Sequence, residues 1–306
     1  MVHALTAAQP NAIDQPFTPD ATQAYRRWRA RKLANYPRRV EDLMVEVRDP
    51  RNLRASEADK IRRLCRTANM ALYASPLAGV ADKGIPRRLG ERVGLARLVA
   101  NPLADDDGIS SLRVVPGKSA RGYIPYSNQR LLWHTDGYYN APAQRIRAFI
   151  LHCVQPATAG GDNCLLDHEI AYILLRDADP GYVRALSAPA AMTIPANAED
   201  GAETRSAQTG PVFSADAADG SLHMRYTSRT RSIEWRSDKA TRAAVQLLKQ
   251  ILAGDSPYVF RHRLAGGQGI VCNNVLHSRS AFSDDSESGL SRLVYRARYA
   301  DRVGIA

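Results

Sequence analysis

One short stretch limits the folds open to this chain more than any other: Leu131-Leu132-Trp133-His134-Thr135-Asp136-Gly137-Tyr138-Tyr139. Side chains alternate along an extended segment, so His134 and Asp136 point to the same side. A neutral imidazole nitrogen and a carboxylate oxygen can then grip one metal ion, but two ligands do not make a site. A second histidine from a distant strand would complete a 2-His-1-carboxylate face, which leaves open the positions that oxygen-activating Fe(II) enzymes use. The pair therefore asks for a fold that carries a remote histidine beside the Leu131 run.

The C-terminal third offers one. His277 follows an apolar β-type run, Gly269 to Val275, within Asn273-Asn274-Val275-Leu276-His277-Ser278-Arg279. The last β-type run, Arg292 to Tyr299, alternates Arg292, Val294, Arg296 and Arg298 against Leu293, Tyr295, Ala297 and Tyr299. The arginines share strand parity, provided no bulge intervenes. An interior arginine is costly unless an anion pairs with it, and a guanidinium fits a carboxylate bidentately in a way lysine does not. A metal ligand followed by an acid-binding arginine is what Fe(II)/2-oxoglutarate oxygenation requires.

The rest of the chain reads as mainly β with flanking helices. Short strands are expected over Gly108 to Val115, Leu131 to Trp133, Ala148 to Val154, Leu222 to Thr227 and Tyr258 to Leu264. Helices are expected from Asp20 to Asn35, from a Ser56 N-cap through Ile61, Leu64, Cys65, Ala68 and Leu72, from an Asp167 cap to Arg176, and over Thr241 to Ala253. Gly117 to Gly122, with Lys118 and Arg121, reads as a loop, Gly160-Gly161-Asp162-Asn163 as a tight turn, and Ala196 to Asp219 as a long loop or lid. Strand–helix alternation is too irregular for a doubly wound sheet, so one β-barrel-like domain with helices outside is expected.

The composition is that of a soluble globular protein, and no apolar run approaches the roughly 18 residues of a membrane span or forms a secretory leader. A cytoplasmic location and no membrane partner are expected. Cys65, Cys153, Cys164 and Cys272 lack zinc or CxxC spacing and read as reduced, mostly buried thiols. The formal charge of +11 admits nucleic acid, a solubilising surface or an arginine-rich pocket for small anions. Arg26, Arg27, Arg29, Arg31 and Lys32 crowd one helix, read as a solvated helix pinned by Trp28 and Leu33. Nucleic acid is not the expected substrate, because no stacking aromatics interleave with basic residues near the metal motif. His152, His168, His223 and His262 have no ligand-spaced partner and read as surface or hydrogen-bonded core residues, and Asp162 as shaping its turn.

His134-Thr135-Asp136, the Gly160-Gly161-Asp162 turn, the Asn273 to Arg279 run and the Arg292 strand occur in the order of the taurine dioxygenase/γ-butyrobetaine hydroxylase family, which the chain resembles from about Tyr126 to Asp301. Leu151-His152-Cys153-Val154 and the ending Ser291 to Asp301 are similar to the γ-butyrobetaine hydroxylase branch, and His134 to Tyr138 also resembles a glutarate-hydroxylase-like branch. The resemblance implies a double-stranded β-helix (jelly-roll) core and Fe(II) held by His134, Asp136 and His277. It also implies 2-oxoglutarate and O2 as cosubstrates, with release of succinate and CO2. Arg292 is expected to clamp 2-oxoglutarate, with Asn163 where many relatives carry Thr or Ser. Arg296 would reach an anionic group of the substrate, and a register shift would hand the cosubstrate to Arg296 or Arg298. Tyr126, Tyr138 and Arg298 are further substrate candidates, although Gly137, where that branch has an aromatic, argues against a betaine. The implied organisation is a flexible arm over residues 1–19 and a single oxygenase domain over 20–306, with core motifs in 123–301. The expected partner is a small, carboxylate-bearing or zwitterionic molecule, with homo-oligomerisation left open. The alternative is a basic nucleic-acid- or partner-binding protein on an inactive barrel.

Overall fold

Two sheets carry the β-type runs of this computed structural model, which describes residues 15–304 apart from 101–104, 106, 116–122, 200–201, 230–232 and 286–290. Their strands, in chain order, are β1 (Met44–Glu46), β2 (Met70–Ala74), β3 (Ser110–Leu112), β4 (Leu131–His134), β5 (Ala148–Gln155), β6 (Asn163–Leu166), β7 (Phe260–His262), β8 (Gly269–Cys272), β9 (Leu276–Arg279) and β10 (Leu293–Tyr299). A six-stranded sheet has the order β1-β2-β8-β5-β10-β3, antiparallel except for β1–β2. A four-stranded antiparallel sheet has the order β7-β6-β9-β4. One core lies between them: Phe149, Leu151, Ile270 and Val294 from the first sheet face Leu165 and Phe260 from the second, while Trp133 and Leu276 lie on the other face of the second sheet, where the Trp133 indole meets the helix Lys239–Ala253. The other face of the six-stranded sheet, through Ile150, Val271 and Ala297, packs on helices. Burial on both faces explains why β5 reads as an unbroken apolar run rather than an alternating one.

Six α-helices are described: α1 (Thr22–Ala34), α2 (Ala55–Ala68), α3 (Gly84–Arg92), α4 (His168–Ala178), α5 (Pro180–Leu186) and α6 (Lys239–Ala253). Asp167 caps α4 through the Glu169 amide, as expected, and Asp179 does the same for α5 through Gly181. For α2 the expected Ser56 cap is wrong. The cap is Arg54 and the helix starts at Ala55, two residues earlier than a Ser56 cap implies, and Glu57 closes its first turn by accepting from the Arg54 amide at 2.8 Å. Leu72 is not on that helix either, because Asn69 ends it in a left-handed conformation (φ 57°) and the chain turns into β2. The expected lid over 196–219 is instead a set of short pairings, Asn197–Glu199 with Ala202–Arg205, Gln208–Gly210 with Met192–Ile194, and Phe213–Ala215 with Leu222–Met224. The Gly117 to Gly122 loop, with Lys118, falls outside the described residues save for its neighbours.

The basic helix is partly spent inside the protein. Lys32 is buried, with its ammonium 2.6 Å from both Asp167 and Glu169 of α4 and its cap, and Arg29 pairs with Asp177 at 2.7 Å. Arg26, Arg27 and Arg31 stay exposed. Residues 15–19 run beside this contact: Phe17 packs edge-on against Trp28 and Tyr172, and Arg176 donates to the Pro16 and Pro19 carbonyls at 2.8 and 2.9 Å. Burial by itself would raise the Glu169 carboxyl, but the nearby Lys32 and Arg302 charges outweigh it and hold the group at about 2. A carboxyl held low contributes stability above its unfolded value near 4.5 and loses it as pH falls toward 2. Lys32→Ala, which strands two buried carboxylates, should therefore lower the unfolding free energy by roughly 3–5 kcal/mol at neutral pH. The deficit should shrink on acidification from about pH 4.5 downward. Denaturant titrations at several pH values check this, and a loss under about 1 kcal/mol at pH 7 would show that the contact is only a surface pair.

Candidate metal centre

The register between β4 and β9 sets the site. His134 on β4 lies directly opposite His277 on β9, with ring centroids 4.1 Å apart. Asp136 follows just beyond the end of β4, and one ligand atom from each of the three side chains falls within 4.8 Å of the others. Thr135, between the two ligand candidates, is turned the other way and fully buried: its amide donates to the Tyr226 carbonyl at 3.0 Å and its hydroxyl accepts from the Tyr226 amide at 3.1 Å. The alternation read from the sequence is therefore physical, and Thr135 anchors the strand end from behind.

The donor atoms suit a metal ion. His134 Nδ1 donates to the Leu132 carbonyl at 2.8 Å and His277 Nδ1 to the Val275 carbonyl at 2.9 Å. A carbonyl only accepts, so each Nδ1 carries the proton and each Nε2 lone pair is left facing the cluster. Burial, and then the neighbouring His134, push the His277 imidazole down to about 3, so it is neutral at pH 7. For Asp136, burial favours the neutral acid, but Arg296, His134 and His277 together hold it well below the usual carboxylate range. Its Oδ1 accepts from Arg296 Nη1 at 3.1 Å and lies 3.6 and 4.0 Å from the Nε2 atoms of His134 and His277, while Oδ2 is buried without a partner among the described residues. Two imidazole nitrogens and a buried carboxylate with a spare oxygen are a donor set that Fe(II) fits.

Gly137 after the aspartate has a steric cause. Its φ is +68°, and a Cβ there would come within 2.6 Å of Ile146 Cγ1. Only glycine takes that backbone cheaply in so little space, which is why an aromatic residue does not occupy this position.

Arg292, Arg296 and Arg298 share one face of β10, as the alternation requires: Val294 between them lies in the inter-sheet core, and Leu293, Tyr295, Ala297 and Tyr299 pack on the other side. The β5–β10 ladder does shift register beside Leu293 and Val294, but the extra residue is Val154 on β5, between their partners Gln155 and Cys153, so the alternation along β10 is kept. Arg292 is buried in a small cavity with Cys153, Gly161, Asn163, Leu264 and Val294. Its Nη1 has no hydrogen-bond partner among the described residues, and burial lowers its pKa. Arg296 and Arg298 sit further along β10, both buried, with Arg296 on Asp136 and Arg298 close enough to bias the same carboxylate. Asn163 is buried beside Arg292, as its position in the motif requires. Tyr126 is buried in the shared core, and Tyr138 is half-buried with its ring against Tyr139, centroids 5.0 Å apart.

Two groups escaped the sequence reading. Phe282 lies between two guanidiniums, 4.8 Å from that of Arg279 and 5.0 Å from that of Arg292, an arrangement that orients charge over a π face. Asn274 grips the backbone of Asp136. Three other histidines are hydrogen-bonded within the fold: His152 pairs with the Tyr73 hydroxyl at 2.9 Å, His168 donates to the Leu222 carbonyl at 3.0 Å, and half-buried His262 meets Gln268 at 2.9 Å. Asp162 shapes its turn through Ser280, and the four cysteines are free thiols. No described helix is long and apolar enough to cross a membrane.

If these three side chains form the site, wild-type protein should bind one Mn(II), a redox-inert probe for Fe(II), per chain. His277→Ala should lose that binding while keeping a cooperative thermal transition. Equal Mn(II) stoichiometry in the variant would remove His277 from the site.

The family model described as taurine catabolism dioxygenase TauD, TfdA family matches residues 29–298. Among solved structures, the asparagine oxygenase AsnO is similar at 17% identity and TM-score 0.57, with 80% of this chain and 77% of that one covered. The non-heme iron oxygenase OrfP, in complex with Fe, succinate and (3S)-hydroxy-L-Arg, is similar at 16% identity and TM-score 0.59, covering 97% of this chain and 93% of that one. PvcB from Pseudomonas aeruginosa is similar at 15% identity and TM-score 0.57, with 86% and 88% covered.

Proposed function

We infer the reaction from one premise: the chain belongs to the taurine catabolism dioxygenase TauD, TfdA family, and it is a 2-oxoglutarate-dependent, non-haem iron dioxygenase. Its cofactor is Fe(II) and its cosubstrates are 2-oxoglutarate and O2. Our reading is that residues 20–306 act as one oxygenase domain whose two sheets form a double-stranded β-helix, with His134, Asp136 and His277 as the iron ligands. When bound, iron and 2-oxoglutarate supply the oxidation, in which O2 converts the cosubstrate to succinate and CO2 and passes one oxygen atom into a substrate C–H bond.

The observation that carries the rest is a charge imbalance. Arg292, Arg296 and Arg298 are all buried, and Asp136 is the one carboxylate among the described residues within hydrogen-bond reach of any of them. Buried guanidiniums need anions, so we assign the missing ones to the reactants. Arg292, with Asn163 beside it and Phe282 beneath it, takes the far carboxylate of 2-oxoglutarate. Arg296, already at the metal ligands, takes an acidic group of the substrate and so fixes which C–H faces the iron, a positioning role that supplies most of what a protein adds to such chemistry. Arg298 lies one alternation further out and offers a second contact. The substrate is thus a small carboxylate-bearing or zwitterionic molecule, and hydroxylation is its fate. AsnO, solved with 2S,3S-3-hydroxyasparagine and succinate, and OrfP, solved with (3S)-hydroxy-L-Arg, favour a free amino or related acid. Within the family, the motifs from Leu151 to Asp162 and from His134 to Tyr138 favour placement near the γ-butyrobetaine hydroxylase and glutarate-hydroxylase-like branches. The Gly137 backbone speaks against a betaine cage.

The test is a screen of small carboxylates and amino acids for substrate-dependent succinate release. On the substrate it identifies, Arg292→Ala should raise the Michaelis constant for 2-oxoglutarate about 30-fold or more, the equivalent of losing at least about 2 kcal/mol from a buried charge pair. Arg296→Ala should instead retain 2-oxoglutarate affinity and lose the coupling of succinate release to product. The reverse pattern would exchange the two assignments, and the absence of any 2-oxoglutarate turnover with every acid tested would contradict the carboxylate reading.

A further inference from the structure

We propose that Asn274 is a positioning residue for Asp136: its side-chain amide locks the backbone of the metal aspartate and thereby sets metal affinity. The proposal rests on the reading of His134, Asp136 and His277 as the iron ligands.

Asp136 sits just past the end of β4, where the strand ladder no longer holds it. Its backbone amide donates to Asn274 Oδ1 at 2.8 Å, and Asn274 Nδ2 donates back to the Asp136 carbonyl at 2.9 Å. The second Nδ2 hydrogen goes to the Ile146 carbonyl at 2.8 Å, just ahead of β5. One amide thus reproduces the two-way exchange that a neighbouring strand would make, and it ties the aspartate to the opposite sheet. All three contacts are buried, so each bond would leave an orphaned backbone group if it were lost.

The backbone of Asn274 shows what this arrangement requires. It is one of two non-glycine residues among those described with positive φ, at 51°. Asparagine tolerates that conformation better than most residues. The turn it makes separates β8 from β9, so the residue that grips Asp136 also lies three positions before His277. Two of the three ligand candidates are therefore referenced to one residue, Asp136 through the Asn274 side chain and His277 through the chain that follows it. Ile146, at the third end of the clamp, is also the residue that fills the space beside Gly137. Asp136 is fenced from both flanks, and its carboxylate direction follows from contacts that never touch the metal.

The informative substitution is Asn274→Gly, because glycine accepts φ 51° without strain and so removes the amide alone. Asn69→Ala is the control. It strips a buried amide from the network of Asp167, Asn273 and Arg302, none of which is a ligand candidate, and it also sets alanine at a φ of 57° that strains it. Mn(II) binding is measured anaerobically by calorimetry and by the Mn(II) electron paramagnetic resonance spectrum, alongside the thermal midpoint of the metal-free protein. Asn274→Gly should weaken Mn(II) binding on the order of 10- to 100-fold, as loss of a supporting contact to a ligand does, and should broaden the spectrum of the bound ion. Asn69→Ala should lower the thermal midpoint at least as much and leave Mn(II) affinity within about twofold. Wild-type Mn(II) affinity in Asn274→Gly overturns the proposal, as does affinity that falls in both variants in step with the thermal midpoint. If the wild-type protein binds no Mn(II), the triad reading fails and this proposal fails with it. If the wild-type protein binds it and His277→Ala does not, the triad stands and Asn274→Gly decides.

Discussion

Everything at the centre of this protein depends on one antiparallel register, His134 opposite His277 between β4 and β9. In a strand pair, a slip of a single residue turns every side chain to the other face, so the alignment decides whether the two imidazoles meet at all. The core holds it. Trp133 and Leu276, neighbours of the two histidines in sequence, are buried on the opposite parity, and the Trp133 indole donates to the Leu252 carbonyl at 3.0 Å. Moving either histidine out of line would drag these groups toward solvent. The third ligand candidate lies past the strand end and needs its own support, which is why Thr135 from behind and Asn274 from the side both bond there.

Around that register the protein keeps more buried positive charge than it neutralises. Arg296 has Asp136, whereas Arg292 and Arg298 have no carboxylate within hydrogen-bond reach among the described residues. The contrast with Lys32 is instructive. That buried cation has two carboxylates at 2.6 Å and belongs to the architecture. A fold able to build such a pair for a structural lysine would do the same for three structural arginines. Their incomplete pairing is better explained by anions that arrive with the reactants, and this is the physical basis of the functional assignment.

Much of the centre was legible in the sequence because its information is local. Strand parity alone puts His134 and Asp136 on one side, and a histidine after an apolar run with arginines on the next strand is visible without knowing the fold. What escaped depends on context. The bulge at Val154 on β5, opposite Leu293 and Val294, was not readable, nor was the separate cavity that Arg292 occupies on the face it shares with Arg296 and Arg298. The break at Asn273-Asn274 read as a continuous strand, although asparagine is the residue type that takes a left-handed turn. Lys32 looked like one more solvated charge in a basic helix, since nothing near it in sequence announces Asp167 and Glu169. The pairings within 192–224 were missed because small polar residues signal a loop whether or not they form short ladders. Local chemistry was readable, whereas long-range pairing and bulges were not.

The account stands most directly on where the metal and the cosubstrate bind. Crystals grown without oxygen and soaked with Fe(II) and 2-oxoglutarate would show this by anomalous scattering at the iron edge. The expected result is a single iron bound to His134 Nε2, His277 Nε2 and an Asp136 carboxylate oxygen, with the far carboxylate of 2-oxoglutarate on Arg292 beside Asn163. Iron elsewhere, or a cosubstrate whose far carboxylate sits on Arg296 or Arg298 while the Arg292 cavity holds none, would contradict it.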